Sequence, residues 1–286
     1  MPDLSPLYSL LAHLLPFDCL QARFMQQALA ALLLLTPMTA VMGILVINFR
    51  MSFFADAISH SAFAGVALGL LLALDPNGTM PVFGVLVGLA IMLMQRRTSL
   101  SSDTVIGVFF SAMVAFGLAI ISRDASLARD LPRFLYGDIL TVSDGQVVAL
   151  MGLFAVLMIF QAVNYNRLLY IGLNPALAQA HRVRVAALQY CFAGLLALLV
   201  MFAVQAVGVL LVTALLIVPA AAARNFARSA GAMFWWTLAI SLSSAVAGLL
   251  LSAQDWARTA TGATIILVAC GWFALSVAAT ARRRNG

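Results

Sequence analysis

Residues 27–48 read QALAALLLLTPMTAVMGILVIN, twenty-two positions without a charged side chain. At about 1.5 Å per residue a helix of this length spans roughly 33 Å, enough to cross a hydrocarbon layer about 30 Å thick. The pattern recurs along the chain. Further spans are expected at about 56–74, 80–95, 103–122, 144–164, 186–204, 207–223, 231–252 and 261–280. Turn chemistry separates them, with Asp75-Pro76-Asn77-Gly78 as a strong turn and Asn174-Pro175 opening a non-membrane segment. Composition agrees: of 286 residues 64% are hydrophobic and 9% charged, with a mean hydropathy of +1.05. Soluble domains carry about 25% charged residues, so an ordinary globule is excluded, and so is a disordered chain. The expected fold is all-α, a polytopic transmembrane helical bundle of eight or nine spans forming a single transmembrane domain over residues 1–286. The connection 123–143 leaves the count open, because a short re-entrant or interfacial helix fits there. Residues 1–22 carry Pro2, Pro6 and Pro16 and lack a basic start, so they read as a non-spanning N-terminal segment rather than a cleaved signal peptide.

The charge inventory narrows the function. All sixteen basic residues are Arg and all ten acidic residues are Asp. Without Lys there is no GxxxxGK[ST] loop, so the chain has no ATPase site of that kind. Without Glu there is no HExxH metalloprotease helix. Cys19, Cys191 and Cys270 form no CxxC and read as small apolar fillers. The net charge of +6 reflects Arg in cytoplasmic loops rather than a nucleic-acid partner. With the Arg50 turn inside, alternation places Arg50, Arg96, Arg97, Arg167, Arg182, Arg184, Arg224, Arg228 and Arg282–Arg284 in the cytoplasm. Arg23, Arg123, Arg129, Arg133 and Arg258 then lie outside. Eleven against five puts the C-terminus in the cytoplasm.

One pair of polar residues falls inside a span. Asp56 and His60 are four positions apart, hence on one helix face one turn apart. A buried Asp costs about 2.5–3.5 kcal/mol on insertion scales and ordinarily faces a partner or a water-filled path. Carboxylate plus imidazole suits zinc, and also manganese or iron. Spacing alone leaves a second reading equally open, in which Asp56 caps the span and His60 satisfies a backbone group. Gly65 and Gly69 form a GxxxG stripe for close helix packing. Pro219 is expected to kink or end its helix. His13 falls outside the spans. Residues 170–185 are too polar to cross. Asn174 is an N-cap and Pro175 fits the first turn, while Ala176, Leu177, Ala180 and Val183 form a short apolar stripe. A docking surface for another subunit and an ordinary ordered loop both fit that pattern.

These residues resemble one family, the metal-ion ABC importer permeases. The run 52–69 resembles its GDAxSHxxxPGVALG. Residues 103–111, DTVIGVFFS, resemble its DTAIGIVFS, and residues 134–143, FLYGDILTVS, its YLFGNILxVS. Residues 205–224, QAVGVLLVTALLIVPAAAAR, resemble its QxVGxLLVxALLIIPAATAR. The match continues to Gly262–Leu267 and covers nearly all of 24–280. The resemblance implies half of a dimeric permease in a bacterial inner membrane, with a second copy of the chain as partner. It implies a cytoplasmic ABC ATPase and an extracytoplasmic metal-binding protein, membrane lipid around the chain, and no nucleic acid. No cofactor is implied as a resident. The cargo is a divalent metal, zinc before manganese or iron. Asp56 and His60 match the family's metal-coordinating pair, and uptake is expected to weaken as pH falls through the ordinary imidazole range. Asn174, Pro175, Leu177, Ala178, His181 and Arg182 match its ATPase-docking segment. Ala55, Ala64 and Arg182 depart from the usual Gly, Pro and Gly. From a different class, a proton-coupled secondary transporter acting alone needs acidic residues in several spans and an inverted repeat. Only Asp56 is clearly inside.

Overall fold

The computed structural model describes Pro6, Tyr8 and residues 18–122, 139–254 and 259–285. Ten α-helices follow in order: α1 (Arg23–Asn48), α2 (Phe54–Leu71), α3 (Pro76–Arg97), α4 (Ser102–Ile121), α5 (Asp144–Leu173), α6 (Pro175–Ala180), α7 (Val185–Val207), α8 (Val209–Phe226), α9 (Ala230–Ser252) and α10 (Thr261–Asn285). Among the described residues nine of these are long and apolar enough to span a bilayer, all except the six-residue α6. The protein is a polytopic helical membrane bundle. Residues 123–138, with most of the 134–143 motif and the expected re-entrant segment, lie outside the described residues, as do most of residues 1–17.

Three boundaries differ from expectation, each for a local reason. The span expected at 80–95 is the 22-residue α3, because Pro76 fits its first turn and the Asp75 carboxylate accepts the Asn77 N–H at 3.0 Å. The span expected to end at 164 continues to Leu173, since nothing breaks a helix before Asn174-Pro175. The non-spanning segment expected from 170 therefore begins four residues later. The span expected to end at 74 stops at Leu71. There Ala73 turns left-handed at φ 53°, the Leu74 N–H reaches Gly69 O at 2.9 Å and the Ala73 N–H reaches Leu70 O at 3.2 Å.

That paired 6→1 and 5→2 bonding is a Schellman cap, which ordinarily places Gly in the left-handed position. Among the described residues the chain builds it three times without Gly. Arg50 (φ 55°) closes α1 through Met51 N–H to Val46 O, and Arg182 (φ 60°) closes α6 through Val183 N–H to Ala178 O. Gly208, at φ 84° and ψ 163°, separates α7 from α8 in a conformation open to glycine alone.

The helices group into two compact units. In the unit of residues 45–137 and 159–205, α2 packs between α3 and α4. Its GxxxG stripe does pack closely: a Cβ on Gly65 would lie 3.1 Å from Met80 Cα, and one on Gly69 would strike the Thr79 side chain. Thr79 Oγ1 donates to Gly65 O at 3.2 Å. Phe54 and Ile58 are fully buried, whereas α4 is mostly exposed.

In the unit of residues up to 44, 138–158 and 206–286, α8, α9 and α10 pack on one another. Pro219 lies inside α8, which continues to Phe226, so it does not end the helix as one reading of the sequence had it. A Cβ on Gly43 of α1 would run into the Leu216 carbonyl of α8, so these backbones meet through the missing side chain. Asp144, at the start of α5, accepts three donors: Tyr8 Oη at 2.7 Å, Gln27 Nε2 at 2.8 Å and Arg23 at 2.9 Å. Burial first, then the bond to Asp144 and its negative charge, pushes the Tyr8 phenol up to about 12.

Candidate functional site

Why Asp56 and His60 stand where they do follows from the first turns of α2. Phe54, Ala55, Ala57, Ile58, Ser59, Ser61 and Ala62 are buried and fix the helix rotation. Ser59 and Ser61 satisfy their hydroxyls on Ala55 O (2.8 Å) and Ile58 O (2.7 Å), so the polar side chains of this buried face are paired internally. What remains is a narrow stripe: Phe53 exposed, then Asp56, His60 and Phe63 half-buried. The spacing expectation therefore holds. The two candidate ligands share one face, and it is the face the rest of the unit leaves least covered.

Neither side chain has a hydrogen-bond or ion-pair partner among the described residues. The reading in which Asp56 caps the helix fails on geometry, because α2 makes no side-chain cap bond at its N-terminus. The reading in which His60 satisfies a backbone group fails likewise. Its contact is the Phe110 ring of α4, edge to face at 4.9 Å between centroids. Such a contact holds an imidazole in place while leaving its nitrogens free. Phe110 was invisible as a site residue in the sequence, since only packing of α4 on α2 brings it there. Among the described residues no third His, Cys, Asp or Glu joins the pair. One chain thus offers one carboxylate and one imidazole.

The second candidate region is α6 and its caps. The Asn174 side chain accepts the Leu177 N–H at 3.1 Å and Pro175 occupies the first turn. Ala178 is fully buried and seats the helix, while Leu177 (46% exposed) and, just before it, Leu173 (84% exposed) stand out into solvent. Of the expected apolar stripe, Ala176, Leu177 and Ala180 are exposed and Val183 is half-buried. His181 is exposed, with its ring against Tyr170 at 5.8 Å. Arg182 itself adopts the left-handed conformation of the glycine it replaces, so the cap keeps its shape. Arg182 and Arg184 are exposed beside the helix. The exposed Leu173 and Leu177 thus flank the start of α6, and the exposed Arg182 and Arg184 follow its end.

A family model described as the ABC 3 transport family matches residues 21–280. This chain belongs to the ABC 3 transport family. Among its relatives is the high-affinity zinc uptake system membrane protein ZnuB of Haemophilus influenzae, 30% identical over 251 residues that cover 87% of this chain and 95% of the relative. The manganese import system permease protein ScaB of Streptococcus parasanguinis is 31% identical over 265 residues, covering 93% and 94%. Among solved structures, PsaBC from Streptococcus pneumoniae in complex with Fab superposes with a TM-score of 0.77 at 32% identity, covering 91% of this chain and 93% of that one. The ABC 3 chain is therefore a multi-pass transport permease, as the sequence motifs implied.

Proposed function

We propose that this chain is the membrane subunit of an importer that carries a divalent transition metal ion, zinc in the first place, into a bacterial cytoplasm by alternating access. A separate cytoplasmic ABC subunit hydrolyses ATP and docks on Asn174–Arg182. An extracytoplasmic binding protein delivers the ion, and two copies of the chain form the pathway. The observation that carries this reading is the Asp56–His60 stripe: two candidate ligands without a hydrogen-bond or ion-pair partner among the described residues, on the least covered face of an otherwise buried helix.

Ligand arithmetic supports the dimer and the ion together. One stripe supplies two ligands, whereas zinc takes four in a tetrahedron. Two copies meeting along this stripe supply two carboxylates and two imidazoles. Their two negative charges offset the ion's two positive ones, which an ion leaving water for a low-dielectric passage needs. Manganese prefers more oxygen ligands and retains water, so the same set serves it less well. Because the pair lies in the first two turns of α2, an ion reaching it has passed most of that helix if the Arg50 turn is cytoplasmic. That orientation is the one that puts the greater number of arginines, and the C-terminus, inside.

The test is metal uptake in cells lacking their own high-affinity zinc importer, supplied with this chain, its ATPase and its binding protein. Zinc and manganese are measured separately at matched membrane levels. Asp56→Asn and His60→Ala are each expected to abolish zinc uptake while leaving ATPase capture intact. Full uptake in both variants would make the pair structural and overturn the reading. Manganese uptake exceeding zinc uptake in the unaltered protein would keep the pathway and change the ion, in line with the manganese relatives.

A further inference from the structure

We propose that the adjoining ends of α8 and α10, with the connection into α9, bind the headgroup of an anionic phospholipid. Arg224 lies in the last turn of α8, Arg228 in the connection and Arg282 near the end of α10, and all three are exposed. The two helix ends are fastened together: Asn225 Nδ2 donates to Ser276 Oγ at 2.9 Å, and Thr280 Oγ1 donates to Asn225 O at 3.4 Å. Arg224 adjoins Asn225 in sequence and Arg282 follows Thr280 by two residues, so these bonds bring two guanidinium-bearing ends to one level. None of the three arginines has an acidic or hydrogen-bonding partner among the described residues. None is close in sequence either, since no acidic residue occurs between Asp144 and Asp255 or beyond Asp255.

One arginine at each helix end would complement that helix's dipole. Three on one level, one of them on a connection rather than a helix, exceed that need and leave a local positive field without a counter-charge. The neighbouring aromatics say where the counter-charge comes from. Trp235 (68% exposed) and Trp236 (42% exposed) lie in the second turn of α9, and the Trp236 ring packs on Phe226 at 5.0 Å. Tryptophan concentrates at the level of lipid headgroups, where its ring faces the acyl boundary and its N–H faces the phosphates. Exposed arginines at these helix ends, next to a span with exposed tryptophans in its second turn, suit the headgroup of a negatively charged lipid. This inference does not depend on which ion is transported.

The experiment uses the full-length chain in phosphatidylcholine nanodiscs with graded phosphatidylglycerol, reading bound lipid by native mass spectrometry and stability by thermal shift. The unaltered chain is expected to retain phosphatidylglycerol over phosphatidylcholine. Each guanidinium lost is expected to weaken retention about fivefold, and Arg224→Gln, Arg228→Gln and Arg282→Gln together about 100-fold. Should the triple variant fail to fold, the unaltered protein still decides: equal retention of the two lipids would overturn the proposal. Equal phosphatidylglycerol retention by variant and unaltered protein would do the same. Inorganic phosphate is expected to give no thermal shift in phosphatidylcholine; a shift matching that of phosphatidylglycerol would overturn a lipid source. Loss of ATPase capture in the triple variant with lipid retention unchanged would assign the surface to a protein and overturn the proposal.

Discussion

Replacing Arg182 by glycine should make the protein more stable, although it deletes a charged side chain next to the α6 docking surface. Arg182 occupies φ 60° at the position of a Schellman cap that glycine ordinarily fills. The left-handed conformation costs a residue with a Cβ about 1–2 kcal/mol, which Arg182→Gly relieves. Glycine also gives the unfolded chain more freedom, which takes back about 0.4–1 kcal/mol. The net gain is therefore about 0–1.6 kcal/mol, centred near 0.8, or a rise in Tm of up to about 3 °C for a chain of this size. Arg182→Ala is the decisive control. It removes the same charge but keeps the Cβ and therefore the strain, so its Tm should stay within about 1 °C of the unaltered protein. Thermal unfolding of detergent-solubilised protein, followed by intrinsic tryptophan fluorescence, measures both. Equal rises for Gly and Ala would refute the reasoning, because the gain would then come from removing charge. ATPase capture by the same two variants separates shape from charge in docking: Gly should preserve the cap, and loss of capture in both would identify the guanidinium as a contact.

Further outcomes follow from other contacts. Gly43→Ala should destabilise by about 1–3 kcal/mol, because its Cβ meets the Leu216 carbonyl of another helix and a backbone cannot swing aside. Gly107→Ala, at a helical position with nothing within 4 Å of the new Cβ, should instead be neutral or gain about 0.5–1 kcal/mol, and thermal unfolding distinguishes them. The Tyr8 phenol, at about 12 when folded and about 10 when free, holds its proton more tightly in the folded chain. The stability it lends is therefore complete below about pH 10 and lost as pH rises towards 12. Protease cleavage of the N-terminal segment should accelerate across that window, and Tyr8→Phe should remove the pH dependence. Arg23→Ala should cost under about 1 kcal/mol, since its bond to Asp144 is largely exposed. Asp144→Ala should cost more than Arg23→Ala, because it removes the acceptor of all three bonds and leaves the Tyr8 hydroxyl without this partner. The same unfolding assay compares the two.

The membrane architecture was legible because apolar runs of about twenty residues are a one-dimensional signal, as in 27–48, needing no tertiary information. The Asp56–His60 pair was legible for a similar reason: helical geometry puts residues four apart on one face wherever the helix lies. Which of the two readings of that pair applies was not legible, because it turns on packing. Only the burial of Phe54 and Ile58, and the arrival of Phe110 from α4, show that the pair lies on the least covered stripe and that neither residue caps anything. The left-handed caps at Arg50, Ala73 and Arg182 escaped reading because the usual sign, glycine, is missing at all three. At Arg182 the departure from the family pattern was visible, but whether the turn survived it depended on backbone bonds. The extension of α5 to Leu173 was missed because hydropathy fades at Asn164 while nothing in the sequence breaks the helix until Asn174-Pro175.

The three donors gathered on Asp144 also impose an order on biosynthesis. Tyr8 and Asp144 are 136 residues apart in the chain. At about 5–20 residues per second, a ribosome needs roughly 7–27 s after making the tyrosine before its acceptor exists. Throughout that interval four earlier spans are being threaded into the bilayer, while Tyr8, Arg23 and Gln27 lack their shared acceptor. These bonds can form only once the start of α5 emerges, so their closure marks the moment when the first half of the permease has been laid down.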